Sequence, residues 1–518
     1  MQHLVLALAL AQSGERPEGT AFTKITVPSG VEAVIQQKYQ ADPDWWLSGI
    51  HLVDLDADGD LDLFLSAHTG GAMATLNNGG GVFSLAPGTY PDSEIHLYYD
   101  GDEDGRADLT MTHEDGGGRW WRNLSTPGAL NFVATAVTRG GNTARSQVLF
   151  DVNRDGRVDW LRGAPPGLHV DLGNGSGGFA EASATLAIPG TDSNNNANFL
   201  PADLDGDGDV DLLALVGGGY DDTAGRTAFY RNQGSLSFVD ATAGSGLPAS
   251  GTVIKGVGDL DQDGDTDLIG IENKKMPPVI YLNNGAGAFT RVADAITGIP
   301  AGNLTYSAWG TAVTADFDND GRTDIIMNGK YYLKVLRGTG GGHFVSMNTP
   351  WGIHDDCACS VDDGLAFGDI DGDGDLDIIG YRETFPTRLI DVYRNDLPAR
   401  RWLRVRPVGR AGNRGAAGAR IRLYEPGTQQ LLWSEQVALY CFQAANSYYG
   451  RAQTERHFGL DQRTSVDVEV VFWPSGAVSR RNNVPANSVV VVTEAPSDGV
   501  FSDGFESGDV SAWSATQP

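Results

Sequence analysis

Cysteine is nearly missing: Cys357, Cys359 and Cys441 are the only three among 518 residues. That density excludes a fold stapled by disulfides. Long apolar runs are missing as well. Leu4 to Ala11 is an eight-residue apolar run, far below the roughly 20 residues needed to span a bilayer. Its length and its Ala9-Leu10-Ala11 ending fit a secretory signal peptide over residues 1–11, so the chain is expected to be secreted or held at the cell surface, without a transmembrane segment. No long stretch repeats its apolar residues at helical spacing. Positive charge is scarce, with 37 Lys and Arg against 67 Asp and Glu and a net charge of −30. Such a balance excludes a nucleic-acid or anionic-membrane binder. Catalytic signatures are also absent: no His-Glu-x-x-His, no Gly-x-Ser-x-Gly and no phosphate loop. The nine histidines do not cluster at ligand spacing, and the one suggestive run, His113-Glu114-Asp115, reads as a solvated turn. A non-enzyme is therefore expected.

What the chain does contain is glycine, 69 residues, and an acidic nine-residue loop that recurs seven times. The loop reads Asp-x-Asp/Asn-x-Asp-Gly-Asp/Arg-x-Asp. Its odd positions are Asp54, Asp56, Asp58, Asp60 and Asp62 in the first copy. The second copy has Asp100, Asp102, Asp104, Arg106 and Asp108; the third has Asp151, Asn153, Asp155, Arg157 and Asp159. Asp203, Asp205, Asp207, Asp209 and Asp211 form the fourth, and Asp259, Asp261, Asp263, Asp265 and Asp267 the fifth. The sixth has Asp316, Asp318, Asp320, Arg322 and Asp324, the seventh Asp369, Asp371, Asp373, Asp375 and Asp377.

Oxygens on alternate residues converge on one point when a loop wraps around a cation. Positions one, three and five offer side-chain oxygens. Position six is Gly in every copy, which suits a sharp turn at positive φ. Position seven varies between Asp and Arg, so it contributes its backbone carbonyl, and position nine is always Asp. An all-oxygen donor set selects calcium or magnesium over zinc, and the high ligand count favours calcium. Up to seven structural calcium ions are expected. The third loop is the weakest site, because Asn153 removes one charge. An EF-hand is excluded, since position 12 is never Glu and the flanks are strand-like.

The loops start 46, 51, 52, 56, 57 and 53 residues apart. Each precedes a short apolar run and, in most copies, a Tyr/Leu/Trp-x-Asn triplet such as Trp121-Arg122-Asn123 or Tyr230-Arg231-Asn232, with a Phe shortly after. Four short strands in about 50 residues make a propeller blade. The last unit ends at Tyr393-Arg394-Asn395 without its Phe segment, whereas the chain start carries a spare one, Phe22 through Val31. Residues 22–31 are expected to close the last blade and thereby cover an open sheet edge. The fold class expected is all-β: a seven-bladed β-propeller over 12–397, followed by a small β-sandwich-like domain over 398–495 and a tail, 496–518.

These units resemble FG-GAP/VCBS repeats, the calcium-loop blades of integrin α-subunit propellers. The resemblance implies calcium in hairpin loops on one face, with ligands at positions one, three, five and nine. Residues 398–495 resemble the ASPIC/UnbV domain through Arg401-Trp402-Leu403-Arg404-Val405, Gly415 to Ile421, His457-Phe458-Gly459-Leu460, Trp473-Pro474-Ser475-Gly476 and Asn483 to Asn487. Tyr440-Cys441-Phe442-Gln443 departs from the Gly/Ser-rich segment usual there. The combined order resembles the cartilage-acidic-protein-like (CRTAC-like) group, in a secreted bacterial form. The tail, with Phe501-Ser502-Asp503-Gly504-Phe505, resembles a C-terminal sorting label of secreted bacterial proteins.

Charge is divided sharply. Residues 1–397 hold 24 basic and 56 acidic residues, while 398–495 hold 13 Arg, no Lys and 7 acidic residues. The basic module is suited to docking on an acidic surface. The function expected is a non-catalytic adhesion or protein-interaction module whose partner is an extracellular protein. The alternatives are a lectin-like propeller that uses Trp45-Trp46 and Trp120-Trp121 as sugar platforms, and a hydrolase or lyase without a recognisable motif.

Overall fold

The computed structural model describes residues 21–90, 95–112, 118–139, 146–164, 167–187, 198–216, 226–272, 275–299, 311–329, 332–353, 364–384, 387–398, 400–444, 447–451 and 454–495. His113-Glu114-Asp115, Cys357, Cys359, residues 1–20 and the tail lie outside them. Nearly all the regular structure described is strand, in seven antiparallel four-stranded blades, the sixth of which gains Ile296–Thr297 as a parallel fifth strand, and two further sheets. No helix among the described residues is long and apolar enough to cross a membrane.

Every blade is built on one plan. In blade four the strands are Asn198–Ala202, Asp211–Val216, Arg226–Asn232 and Phe238–Asp240. The acidic loop joins the first strand to the second, so strand alternation puts all seven loops at the same end of the ring. The aspartate at position nine always opens the second strand. The fourth strand opens on Phe in every blade but the sixth, where it is His343–Ser346, and the register Asn77↔Phe83, Asn123↔Phe132, Asn232↔Phe238 and Asn283↔Phe289 repeats between blades. Blade seven takes Phe22–Lys24 as its fourth strand in that register, Phe22↔Asn395.

Ser29-Gly30 then docks on the neighbouring blade as Ser245-Gly246 does. Phe83 N donates to Ser29 O (2.7 Å) and Phe289 N to Ser245 O (2.6 Å). One element has no counterpart in the strand pattern: Val31–Ala41 is a helix whose Val31, Val34 and Ile35 pack between blades seven and one. Its apolar stripe is short, so the sequence pattern alone did not mark it.

The C-terminal domain is a sandwich of a three-stranded and a four-stranded sheet around Leu403, Val405, Ile421, Trp433, Phe458 and Val468. Its hairpin, Leu439–Ala444 and Ser447–Arg451, leaves the sandwich and enters the propeller. One arm pairs antiparallel with the inner strand of blade three (Ser146↔Phe442 to Leu149↔Leu439), the other parallel with that of blade one (Gly49↔Tyr448). Blades one and three thus become one ten-stranded sheet across the channel. The departure at Tyr440 to Gln443 is this hairpin.

His51 and His96 face each other between the inner strands of blades one and two, ring centroids 5.8 Å apart. Both are buried, and neither nitrogen of His96 has a hydrogen-bond partner. Burial lowers His51 to about 4, and burial together with His51 lowers His96 well below 6.5. Both rings fold neutral, so their stability is intact above the unfolded pKa of 6.5 and is lost as pH falls towards 4. For His51 the loss by pH 4 is about 3 kcal/mol. His51→Gln should flatten the fall in melting temperature between pH 6.5 and 4; an unchanged slope would contradict this.

Candidate metal centres

The loop shape is set by its own backbone. Position-six glycines sit at φ between +83° and +101° in all seven loops. Nothing lies within 4 Å of a Cβ built on Gly59, Gly105, Gly156 or Gly208. The left-handed backbone, rather than crowding, therefore demands glycine there. The position-one carboxylate accepts the amide of that glycine, as in Gly59 to Asp54 (3.1 Å), Gly156 to Asp151 (2.7 Å) and Gly321 to Asp316 (2.7 Å). Positions three and five make the same kind of local turn, as in Asp60 N to Asp58 Oδ1 (2.9 Å).

These turns gather donors. Carboxylate oxygens lie within 4.8 Å of one another in Asp54/Asp56/Asp58, Asp259/Asp261/Asp263 and Asp316/Asp318/Asp320. The same holds for Asp100/Asp102/Asp108 and Asp203/Asp205/Asp211, where position nine joins positions one and three. In the seventh loop Asp371 Oδ1 is buried without a hydrogen-bond partner. Burial, reinforced by neighbouring aspartates, raises the loop carboxyls: Asp259 and Asp373 to about 7, Asp100 and Asp151 to about 6. Crowded, desolvated oxygens with no nitrogen or sulfur among them fit a hard divalent cation. In the third loop Asn153 Nδ2 donates to Asp155 (3.3 Å), so part of that cage is already satisfied. The position-seven side chains Arg106 and Arg322 turn to the loop's own Asp104 and Asp320, and Arg157 lies near Asp155, at 3.6 Å.

Position nine has a further task that its residue type did not reveal. In every loop one oxygen accepts the amide of position two and the other accepts an amide of the third strand. Asp267 takes Leu260 N (2.8 Å) and Asn283 N (2.7 Å); Asp377 takes Ile370 N (3.0 Å) and Asn395 N (2.7 Å). These aspartates are fully buried. Asp267→Asn keeps the volume but turns an amide donor towards a backbone N–H. It should cost about 2 kcal/mol in urea unfolding, with or without a divalent cation. A cost that disappears with the cation would mean a metal role alone.

The Asn of the third strand ties the ring together. Asn77 Nδ2 donates to Ile370 O (2.7 Å), Asn123 to Leu55 O (2.9 Å), Asn283 to Leu204 O (2.8 Å) and Asn395 to Phe317 O (2.6 Å). Each acceptor is the position-two carbonyl of the preceding blade's loop. The triplet noticed in the sequence is therefore an inter-blade clasp.

The C-terminal domain rests on this loop face and touches six of the seven loops. Glu103 of loop two accepts Gly412 N, and Trp473 Nε1 donates to Asp151 O in loop three (3.0 Å). Arg420 is nearly enclosed between loops four and five, 3.3 Å from Asp203 Oδ2 and donating to Gly264 O (2.9 Å). Asp461 N donates to Asn319 O in loop six (2.9 Å). In loop seven a Cβ on Gly374 would meet Trp402 Nε1 at 1.7 Å, so the indole lies flat against glycine backbone.

Fold and loops together define a β-propeller with an acidic loop in each blade and a basic β-sandwich docked over them. The chain belongs to the FG-GAP-like repeat family: that family's model matches residues 100–162, 151–214, 203–270, 259–327 and 316–380 in overlapping pairs. Residues 409–498 match the ASPIC and UnbV model. The chain is 29% identical to human (Homo sapiens) cartilage acidic protein 1 over 286 residues, 51% of this chain and 39% of that protein. With the Mus musculus protein it shares 28% over 283 residues, 51% and 40% of the two chains. The match thus spans about two fifths of the length of these relatives. Among solved structures, a lectin of Agrocybe aegerita that recognises non-reducing terminal N-acetylglucosamine aligns with a TM-score of 0.43 at 24% identity, over 58% of this chain and 79% of the lectin. Saccharomyces cerevisiae Sqt1 aligns with a TM-score of 0.40 at 10% identity, over 81% and 97%.

Proposed function

We propose that this chain is a secreted, non-catalytic protein-interaction module whose propeller is held in shape by calcium at the loops beginning at Asp54, Asp100, Asp151, Asp203, Asp259, Asp316 and Asp369. The observation that carries the reading is the convergence of alternate-position carboxylates, repeated around one face. Calcium suits it because its coordination is oxygen-only, many-liganded and tolerant of irregular loops. Calcium of this kind belongs outside the cell, where about 1 mM is available to sites of weak affinity.

The binding surface is the propeller's outer rim and its other face, because the loop face and the channel are taken up by the chain's own second domain. The sugar-platform alternative loses support: Trp45 and Trp120 are buried in blade packing, which leaves only Trp46 exposed and Trp121 half-buried. Titration of the full chain with calcium, followed by calorimetry and by capture from extracellular protein fractions with and without calcium, tests the reading. No calcium binding, or turnover of a substrate, would overturn it.

A further inference from the structure

We propose that the cation of loop six is sealed between the two domains and leaves only when the C-terminal domain lifts from the propeller. The inference rests on the calcium reading above. It starts from one difference among the seven loops. The position-five aspartates Asp58, Asp104, Asp155, Asp207, Asp263 and Asp373 are exposed residues, whereas Asp320 is half-buried; its side chain is 5% exposed, against 21% for Asp104 and 31% for Asp155. Asp316, Asp318, Asn319 and Asp324 of the same loop are buried as well.

The roof over loop six is the strand Arg456–Asp461 of the second domain. A Cβ placed on Gly459 would lie 1.9 Å from Asp316 Oδ2 and 2.6 Å from the Asn319 Cα. Only glycine lets the strand come this near the position-one carboxylate. On either side of Gly459 the strand is latched to the loop: His457 Nε2 lies 2.7 Å from Asn319 Oδ1, and Asp461 N bonds Asn319 O. Arginines form the walls. Arg337 pairs with Asp318 (2.6 Å) and Asp320, and Arg400, from the link between the domains, pairs with Asp318 (3.3 Å). The other six loops are open at position five. Beside loop four a cleft of about 320 Å³ reaches Asp207 and Asp209.

An ion leaves a carboxylate cage by exchanging oxygen ligands for water one at a time. Where a strand covers the cage, water arrives only through a local opening, and the exit rate is multiplied by the small open fraction. The experiment loads the full chain with terbium(III) as a luminescent calcium substitute, counts the bound ions at equilibrium, and mixes it with excess chelator. The expected result is a fast phase from the open loops and a one-ion phase about tenfold or more slower.

Asp320→Asn should remove the slow phase and spare the fast one. His457→Ala should bring the slow phase towards the fast rate. Should that variant fail to fold, Asn319→Gly deletes the same latch from the propeller side, at φ +52° where glycine is at ease. Full stoichiometry released in a single phase would overturn the seal while leaving calcium binding intact. A slow phase that survives Asp320→Asn, or that ignores both latch variants, would overturn it too. A wild-type count unchanged by Asp320→Asn would show that the arginines, not a cation, neutralise loop six. No bound ion at equilibrium would overturn the calcium reading itself and the seal with it.

Discussion

Chelating calcium from the full chain should lower its melting temperature by about 10 °C or more. A loop of Kd about 0.1 mM at about 1 mM calcium contributes roughly 1.4 kcal/mol by mass action, and seven such loops contribute on the order of 10 kcal/mol. Unfolding entropy of about 2.1 cal/mol/K per residue, over some 375 propeller residues, is roughly 0.8 kcal/mol/K. The quotient is about 12 °C. Removing the ions also leaves 31 of the chain's 67 acidic residues crowded in seven clusters, with self-repulsion that burial makes worse. Scanning calorimetry in calcium, in chelator and in chelator with magnesium decides the matter. A midpoint that chelator leaves within a degree would show the loops to be solvated turns.

Excising the channel hairpin should cost about 5 kcal/mol. Tyr440 pairs with Arg451 at its base, so residues 441–450 can be replaced by a two-residue turn without moving the sandwich strands. The excision removes Ser146↔Phe442, Gln147↔Cys441 and Gly49↔Tyr448 outright and leaves Val148↔Tyr440 and Leu149↔Leu439 at a frayed end, each pair worth about 1 kcal/mol of net hydrogen bonding. Leu439, which packs with Leu97, Tyr99, Trp120 and Leu149, would lose its anchor and add further loss. Over the whole chain this lowers the melting temperature by several degrees. Amide exchange should reveal the location of the loss, with protection falling at Ser146–Leu149 and around Gly49 while blades five and six keep theirs. Unchanged protection at Ser146–Leu149 would mean that the hairpin does not stay paired in the channel.

Much of the scaffold was legible because it is written locally and repeated. Nine residues contain everything a loop needs: glycine for the left-handed turn and alternate aspartates for donors. Their spacing counts the blades. The Phe and Asn markers carry the register, since Phe22 meets Asn395 as Phe83 meets Asn77. The candidate site was legible only in its donors. That position nine also caps two amides, and that Asn77 or Asn283 clasps the preceding blade, depends on strands that neighbour each other only after folding.

By itself, then, the sequence determined the repeat, its donor chemistry, the number of blades and the split between an acidic propeller and a basic module. Tertiary structure alone decided where the basic module goes. The acidic surface it docks on is this chain's own loop face, where Arg420 meets Asp203 and Arg400 meets Asp318. It alone placed the hairpin between blades one and three and the Gly459 strand over loop six. The reason is physical. Loop conformation is set by hydrogen bonds within a few residues, which leave a periodic trace in the sequence. Docking is set by shape and charge matching between residues hundreds of positions apart, such as Asp151 and Trp473, and that matching occurs once, so no repeat records it.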